Sequence, residues 1–242
     1  ILLLFAAYYY GSLSRSGFYG ALIMGIIVTL IGSWRFLFPL ATFFILSSLL
    51  SKIVKNTSFY QTKGSARDIV QVYANGGIAL LICIFDFIQP NAINFFLFLA
   101  SVSAAMSDTW ATEIGKISKK RPISIVNFIP MDHGLSGGIT RIGIIGSLLG
   151  SSLFGFTIWC VIPIPSFIAY GIILCGFVGS VFDSFLGATI QAKYETQTGE
   201  IIESSQEGAV FISGISWVNN DMVNLMNTAF APTLMYFYLK NF

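Results

Sequence analysis

Apolar runs of about 20 residues, separated by short polar stretches, fill most of this chain, and that length is what a helix needs to cross the hydrocarbon of a bilayer. The pattern predicts helices near residues 1–10, 17–33, 35–51, 68–89, 91–112, 139–161, 166–191 and 214–239. The first run is cut short at Ile1 and reads as part of a helix, and no basic stretch precedes it as in a secretory leader. Several runs are short or rich in Gly and Ser, as expected where helices pack closely or break to line a polar cavity. The fold class expected is an all-α integral membrane protein, a bundle of about seven to eight transmembrane helices, with residues 1–242 forming one polytopic domain.

Alternating the sides of the membrane from helix to helix tests this layout. The segments around 11–16, 52–67, 113–138 and 192–213 then share one face, which collects Arg15, Lys52, Lys55, Lys63, Arg67, Lys116, Lys119, Lys120, Arg121, Arg141 and Lys193. Of the 13 Lys and Arg, only Arg35 and Lys240 fall on the other side. The excess of cations marks the first face as cytoplasmic. A wrong helix count would scramble the sorting, so the segregation supports the count.

Composition agrees: 55% of residues are hydrophobic and 10% charged, with a mean hydropathy of +0.78, against about 25% charged in soluble domains. A net charge of +2 with dispersed cations excludes a nucleic-acid partner. Cys83, Cys160 and Cys175 lie in apolar runs without metal-binding spacing and read as small hydrophobes. The lone His133, beside Asp132 in a loop, reads as solvated.

Against this background four aspartates stand out. Asp68, Asp108, Asp183 and Asp221 sit at the ends of apolar runs, all toward the cation-rich face. A carboxylate near hydrocarbon costs several kcal/mol unless it is paired, hydrated or bound to a metal, so the four suggest one shared polar site. In SDTWATE, Asp108 and Thr112 share a helix face with Glu113 about 100° further round, an arrangement suited to Mg²⁺. VFDSFLGA sets Asp183 and Ser184 among apolar neighbours, with Gly176, Gly179 and Gly187 allowing close approach of backbones. NNDMVN offers Asn219, Asn220, Asp221 and Asn224, able to hold a hard cation or a nucleotide base or ribose.

Phosphate-binding groups are expected nearby. GLSGGIT, with Ser136, Gly137 and Gly138 before the helix that starts near Arg141, can expose backbone N–H groups to an anion. Lys116, Lys63 and Arg67 could neutralise phosphoryl oxygens, with Asn75 two turns deeper; anchoring to anionic lipid is the other reading of such cations.

Taken in order, SARDIVQVYANGG, SDTWATEIG, GLSGGIT, GSVFDSFLGATIQ and WVNNDMVN resemble the family of multi-spanning proteins that includes chloroplast phytyl-phosphate kinase of vitamin E synthesis, as do SRSGFYGALIMG and FFILSSLLSK. The resemblance covers nearly the whole chain. It implies a kinase of isoprenoid (phytyl or geranylgeranyl) monophosphates in tocopherol synthesis, which transfers the γ-phosphoryl of a nucleotide triphosphate, with CTP expected, to give the prenyl diphosphate. By motif position it implies Arg67, Asn75, Asp108, Thr112, Glu113, Ser136, Gly137, Gly138, Asp183, Ser184, Asn220 and Asp221 as functional. Leu135 replaces a hydroxyl residue of the family's loop, and Asn219 stands where the family often has Asp.

The expected mechanism is a Mg²⁺-dependent phosphoryl transfer, in which a protein mainly positions two anions and offsets their charge. Asp108, Asp183 and Asp221, with Glu113, would hold one or two metal ions. Arg67, Lys63, Lys116, Arg141, the glycine loop, Asn75, Thr112, Ser184, Asn220 and Asn224 would hold the nucleotide and phosphates. The prenyl tail would lie between helices or in lipid, in a plasma or internal photosynthetic membrane, and self-association stays open. Two rival functions remain: a CTP-dependent lipid cytidylyltransferase, and a secondary transporter with intramembrane acids.

Overall fold

The computed structural model describes residues 2–55 and 66–241, and in it the apolar runs become seven helices. These are α1 (Leu2–Tyr9), α2 (Arg15–Lys55), α3 (Ile69–Ile88), α4 (Ala92–Gly115), α5 (Arg141–Val161), α6 (Ser166–Thr189) and α7 (Asn220–Leu239). Among the described residues five helices are long and apolar enough to cross a membrane: Arg15–Val54, α3, α4, α5 and α6. The eight residues of α1 extend only about 12 Å. The first turns of α7 carry three Asn and an Asp, which make it the most polar of the long helices.

The sequence places a boundary at residue 34, and the structure breaks α2 at Ser33, whose φ of 58° and ψ of −168° are not helical. Packing shows that this break is a hairpin. On the first limb Gly17 abuts the Arg67 carbonyl, Gly20 meets Ile69 and Tyr73, Gly76 sits on Met24, and Gly32 meets Cys83. That limb therefore runs alongside α3 in the same direction. On the second limb Phe36 stacks edge-on against Phe95 and Phe98, whereas Ser48 Oγ lies 3.5 Å from Arg67 Nη1. The chain thus returns to the end from which it set out. Arg35, an isolated cation at the far end, rests over the Phe95 ring at 4.1 Å.

Helix α4 is central. All residues from Phe98 to Ser107 are buried, and the Ala and Ser residues among them let α5, α6 and α7 approach. Ser107 hydrogen-bonds the Ser147 hydroxyl at 2.8 Å on α5, while Gly176 of α6 abuts Ser103 and Gly179 abuts Ala104. The glycines of α6 thus do permit close backbone approach. Thr228 of α7 donates to the Ala74 carbonyl of α3 at 3.2 Å. Through these contacts the start of α2, its end, Arg67, the ends of α4 and α6, and the starts of α5 and α7 gather at one end of the bundle. The cations placed on one face by the sequence lie there, except that Lys63 falls outside the described residues.

The long segments at that end are not plain loops, and here the structure adds to the sequence reading. Strands β1 (Ile123–Ser124) and β2 (Gly138–Ile139) pair antiparallel. Strands β3 (Lys193–Glu195), β4 (Ile201–Ile202) and β5 (Val210–Ser213) form a small sheet in the order β4-β3-β5. This sheet also delays the last helix. Gly214, at φ +88°, packs onto the Gln191 backbone, and Asn219 caps α7 by accepting from Met222 N at 3.0 Å. The helix expected from residue 214 begins instead at Asn220, so Asp221 lies in its first turn and not two turns inside. The thiols behave as small side chains, with Cys83 and Cys175 buried and Cys160 exposed, all free.

Candidate functional site

Two of the four aspartates come together. Asp108, seven residues before the end of α4, and Asp183, six before the end of α6, lie near enough on these parallel helices for each to feel the other's charge. Ser180, one turn before Asp183, stands close to Asp108, and Asn227 of α7 close to Asp183. Oδ2 of Asp183 and Oδ1 of Asn227 are both buried without a hydrogen-bond partner. Like charges held together away from water repel, so such a pair calls for a cation or a shared proton. The donors facing inward are carboxylate, amide and hydroxyl oxygens, which suit a hard divalent ion.

The other two aspartates form a different pair. Asp68 is the N-cap of α3: its Oδ1 accepts from Gln71 N at 3.0 Å while Gln71 Oε1 accepts from Asp68 N at 3.2 Å, a reciprocal capping box. Asp221, displaced outward by the late start of α7, faces Asp68. Glu113 is bound to Lys116 at 3.0 Å and faces Arg67. Among the described residues no three acidic, His or Cys side chains converge as a metal cluster. Of the expected set of Asp108, Glu113, Asp183 and Asp221, the structure brings Asp108 and Asp183 together and sets Glu113 and Asp221 apart from them.

The remaining predicted residues divide in the same way. Ser184 lies beside the pair on α6, partly buried. Thr112 is exposed, and Arg141 is exposed at the first position of α5. Asn75 spends its amide on the Gln71 carbonyl of its own helix at 2.9 Å; Asn220 is exposed and Asn224 half-buried. Lys116 is committed to Glu113. Arg67 stands apart from the acid pair, in a cavity with Ser48 and Lys52 and within the field of Glu113. His133 sits half-buried between β1 and β2.

The glycine loop is pinned to the end of α6. Gly137, at φ +83°, has no room for a side chain because its Cα hydrogens face the Ala188 backbone, and Gly187 in turn abuts Gly137 N and Ser136. The loop also holds an anion of the protein's own. Ser136 donates its N–H to one oxygen of Glu203 and its hydroxyl to the other at 2.8 Å, while Gln191 Nε2 donates to Ser136 Oγ at 3.0 Å. Glu203, which follows β4, thereby reaches the field of Asp183. Burial raises its carboxyl above the ordinary glutamate range, against the opposing pull of Ser136 and Lys193. An acid whose folded-state pKa is raised adds stability below its unfolded value and loses it as pH rises through the folded one. The docked hairpin should therefore resist proteolysis best at acidic pH and yield as pH rises, and Glu203→Gln should flatten that dependence; an unchanged pH profile in the variant would rule Glu203 out as its source.

The profile of the integral membrane protein family DUF92 matches residues 1–232. This chain belongs to that family. An uncharacterized membrane protein of Methanocaldococcus jannaschii is 30% identical over 191 residues, covering 75% of this chain and 76% of its own length. Protein PGR of Arabidopsis thaliana is 27% identical over 98% of this chain and 94% of its own, and an uncharacterized membrane protein of Synechocystis is 26% identical over 88% and 77%. No solved structure matches.

In this DUF92 protein three site residues escaped the sequence reading. Asn220, Asn224 and Asn227 recur at i, i+4 and i+7, so Asn227 could have been found by extending the Asn stripe one turn. Ser180 lies three residues before Asp183 on the same face. Glu203 gives no local signal, since Glu200 and Glu207 flank it in an equally polar stretch.

Proposed function

We propose that this membrane protein is a Mg²⁺-dependent prenyl-phosphate kinase, which transfers the γ-phosphoryl group of a nucleotide triphosphate, CTP by the resemblance noted above, to phytyl or geranylgeranyl monophosphate. The observation that carries the reading is the facing pair Asp108 and Asp183, with an unpartnered carboxylate oxygen, beside a glycine loop whose donors already hold an anionic group. Asp108 and Asp183 are the residues that would hold the ion, and a divalent ion there would neutralise charge building on the phosphoryl oxygens. Ser180 and Asn227 stand beside the two carboxylates and would complete the oxygen set around the ion. Ser136 and the loop N–H groups offer a phosphate the contacts that Glu203 now takes. The acceptor is ionised already and attacks without a strong general base, its prenyl tail lying in lipid along the helices. The site then faces the cytoplasm, by the excess of cations at its end of the bundle.

Purified protein incubated with Mg²⁺, each nucleoside triphosphate in turn and phytyl or geranylgeranyl monophosphate should yield the prenyl diphosphate and a nucleoside diphosphate, read by mass spectrometry. Pyrophosphate release would instead indicate cytidylyl transfer to a lipid phosphate. No product from any pairing would overturn the kinase reading.

A further inference from the structure

Arg67 is isolated from the acid pair, yet its placement is tightly determined. Its N–H donates to the Ser12 carbonyl at 3.1 Å and its carbonyl accepts from Ser14 N at 3.0 Å, a bridge that ties the start of α3 to the α1–α2 turn. Gly17 presses on the same carbonyl, so the backbone has no slack. The guanidinium, half-buried, is held 5.8 Å from the centre of the Phe43 ring, and Nη1 reaches Ser48 Oγ at 3.5 Å. Among the described residues it makes no ion pair.

What it points into is a cavity of about 140 Å³ lined by Tyr10, Ser12, Ser48, Ser51, Lys52 and Arg67. Two cations and four hydroxyls line it, of which Ser51 donates to the Ser47 carbonyl at 3.0 Å, and among the described residues no carboxylate does. Ser48 receives a hydrogen bond from Arg67 and keeps its own proton to donate, and Lys52 stands 4.5 Å over the Tyr10 ring, poised at the rim. The volume matches about four or five waters, enough for one tetrahedral oxyanion and too little for a nucleotide. Glu113, which faces Arg67 from α4, is bound to Lys116 and forms no ion pair with the guanidinium, and an anion with several oxygens would satisfy the fork, the ammonium and the free hydroxyls together.

We infer that this cavity is a binding site for a phosphate monoester, formed by Arg67, Lys52, Ser48, Ser51 and Ser12 at the level where the membrane-crossing helices end. Leu49 and Ile53, 52% and 65% exposed, follow Ser48 and Lys52 in sequence on the same limb of α2 and would accompany an acyl or prenyl tail. The site stands on the cavity alone, shares no lining residue with the acid pair, and does not require that the protein transfer phosphoryl groups.

The test uses the whole protein in neutral detergent, titrated with phosphatidic acid, phosphatidylglycerol and inorganic phosphate and read by native mass spectrometry. Phosphatidic acid, a monoester, should be retained about tenfold better than the diester phosphatidylglycerol. Retention should fall about tenfold or more in Arg67→Gln and in Ser48→Ala/Lys52→Gln, as expected for loss of hydrogen bonds to a charged group. The second variant leaves the Arg67 bridge intact and guards against misfolding of the first. Competition by inorganic phosphate would show that the free ion is also a ligand, and its absence that the lipid form is required; both support the site. Equal retention of the two lipids, or no loss in either variant, would overturn it.

Discussion

Replacing Asp108 or Asp183 by Asn is expected to cut turnover in the proposed prenyl-phosphate kinase reaction by at least about 100-fold while leaving the thermal midpoint in detergent unchanged or raised. The two halves of that expectation come from the same geometry. Two carboxylates facing each other between α4 and α6, one with a buried oxygen that finds no partner, are a liability to a folded protein unless something cationic joins them. Neutralising one removes the repulsion and supplies an amide that can donate to the other. A purely structural pair would behave in the opposite way, losing stability and sparing chemistry. Turnover and melting should therefore be measured on the same preparations. Full activity in both variants would remove the pair from the reaction, and a collapse of the melting midpoint in both would mark it as structural.

The second large effect should come from a residue that never touches a ligand. A methyl group on Gly176 would collide with the Ser103 hydroxyl and stand 3.0 Å from the Ser103 backbone carbon, so Gly176→Ala must push α4 and α6 apart. Overpacking of this kind costs about 1–3 kcal/mol. Because Asp108 and Asp183 lie five and seven residues further along these same helices, the displacement also widens the acid pair, and turnover should fall with stability. Gly25→Ala is the control: nothing lies within 4 Å of that position, and the change should be neutral or slightly stabilising. Ser103→Gly should restore part of what Gly176→Ala loses, a coupling read from the double-mutant cycle. Additive losses would show that the two residues do not meet.

Much of the architecture was legible because hydrocarbon thickness imposes a length and cation placement imposes a direction. The break near residue 34 fell at Ser33, and the sorting of Lys and Arg placed the described cations at one end. The site was legible only in part. Asp108 and Asp183 stand in seamless helices, where periodicity fixes which face they occupy. Asp221 was misplaced because the start of α7 depends on a turn at Gly214 and a three-stranded sheet, which are long-range pairings invisible in local pattern. Asp68 looked chemical and proved to be a cap, since a capping box has the same residue types as a polar site. Glu113 and Lys116, three apart on one helix, neutralise each other, a local pairing that helix spacing alone could have suggested.

The fold-back at Ser33 has a topological corollary. Since both limbs of α2 begin and finish at one end of the bundle, residues 15–55 contribute an even number of passes, and the direction of every later helix is independent of them. A relative that lost or duplicated this hairpin would still present the carboxylates of α4 and α6 toward the same compartment, so the orientation of the chemistry is set by the later helices alone.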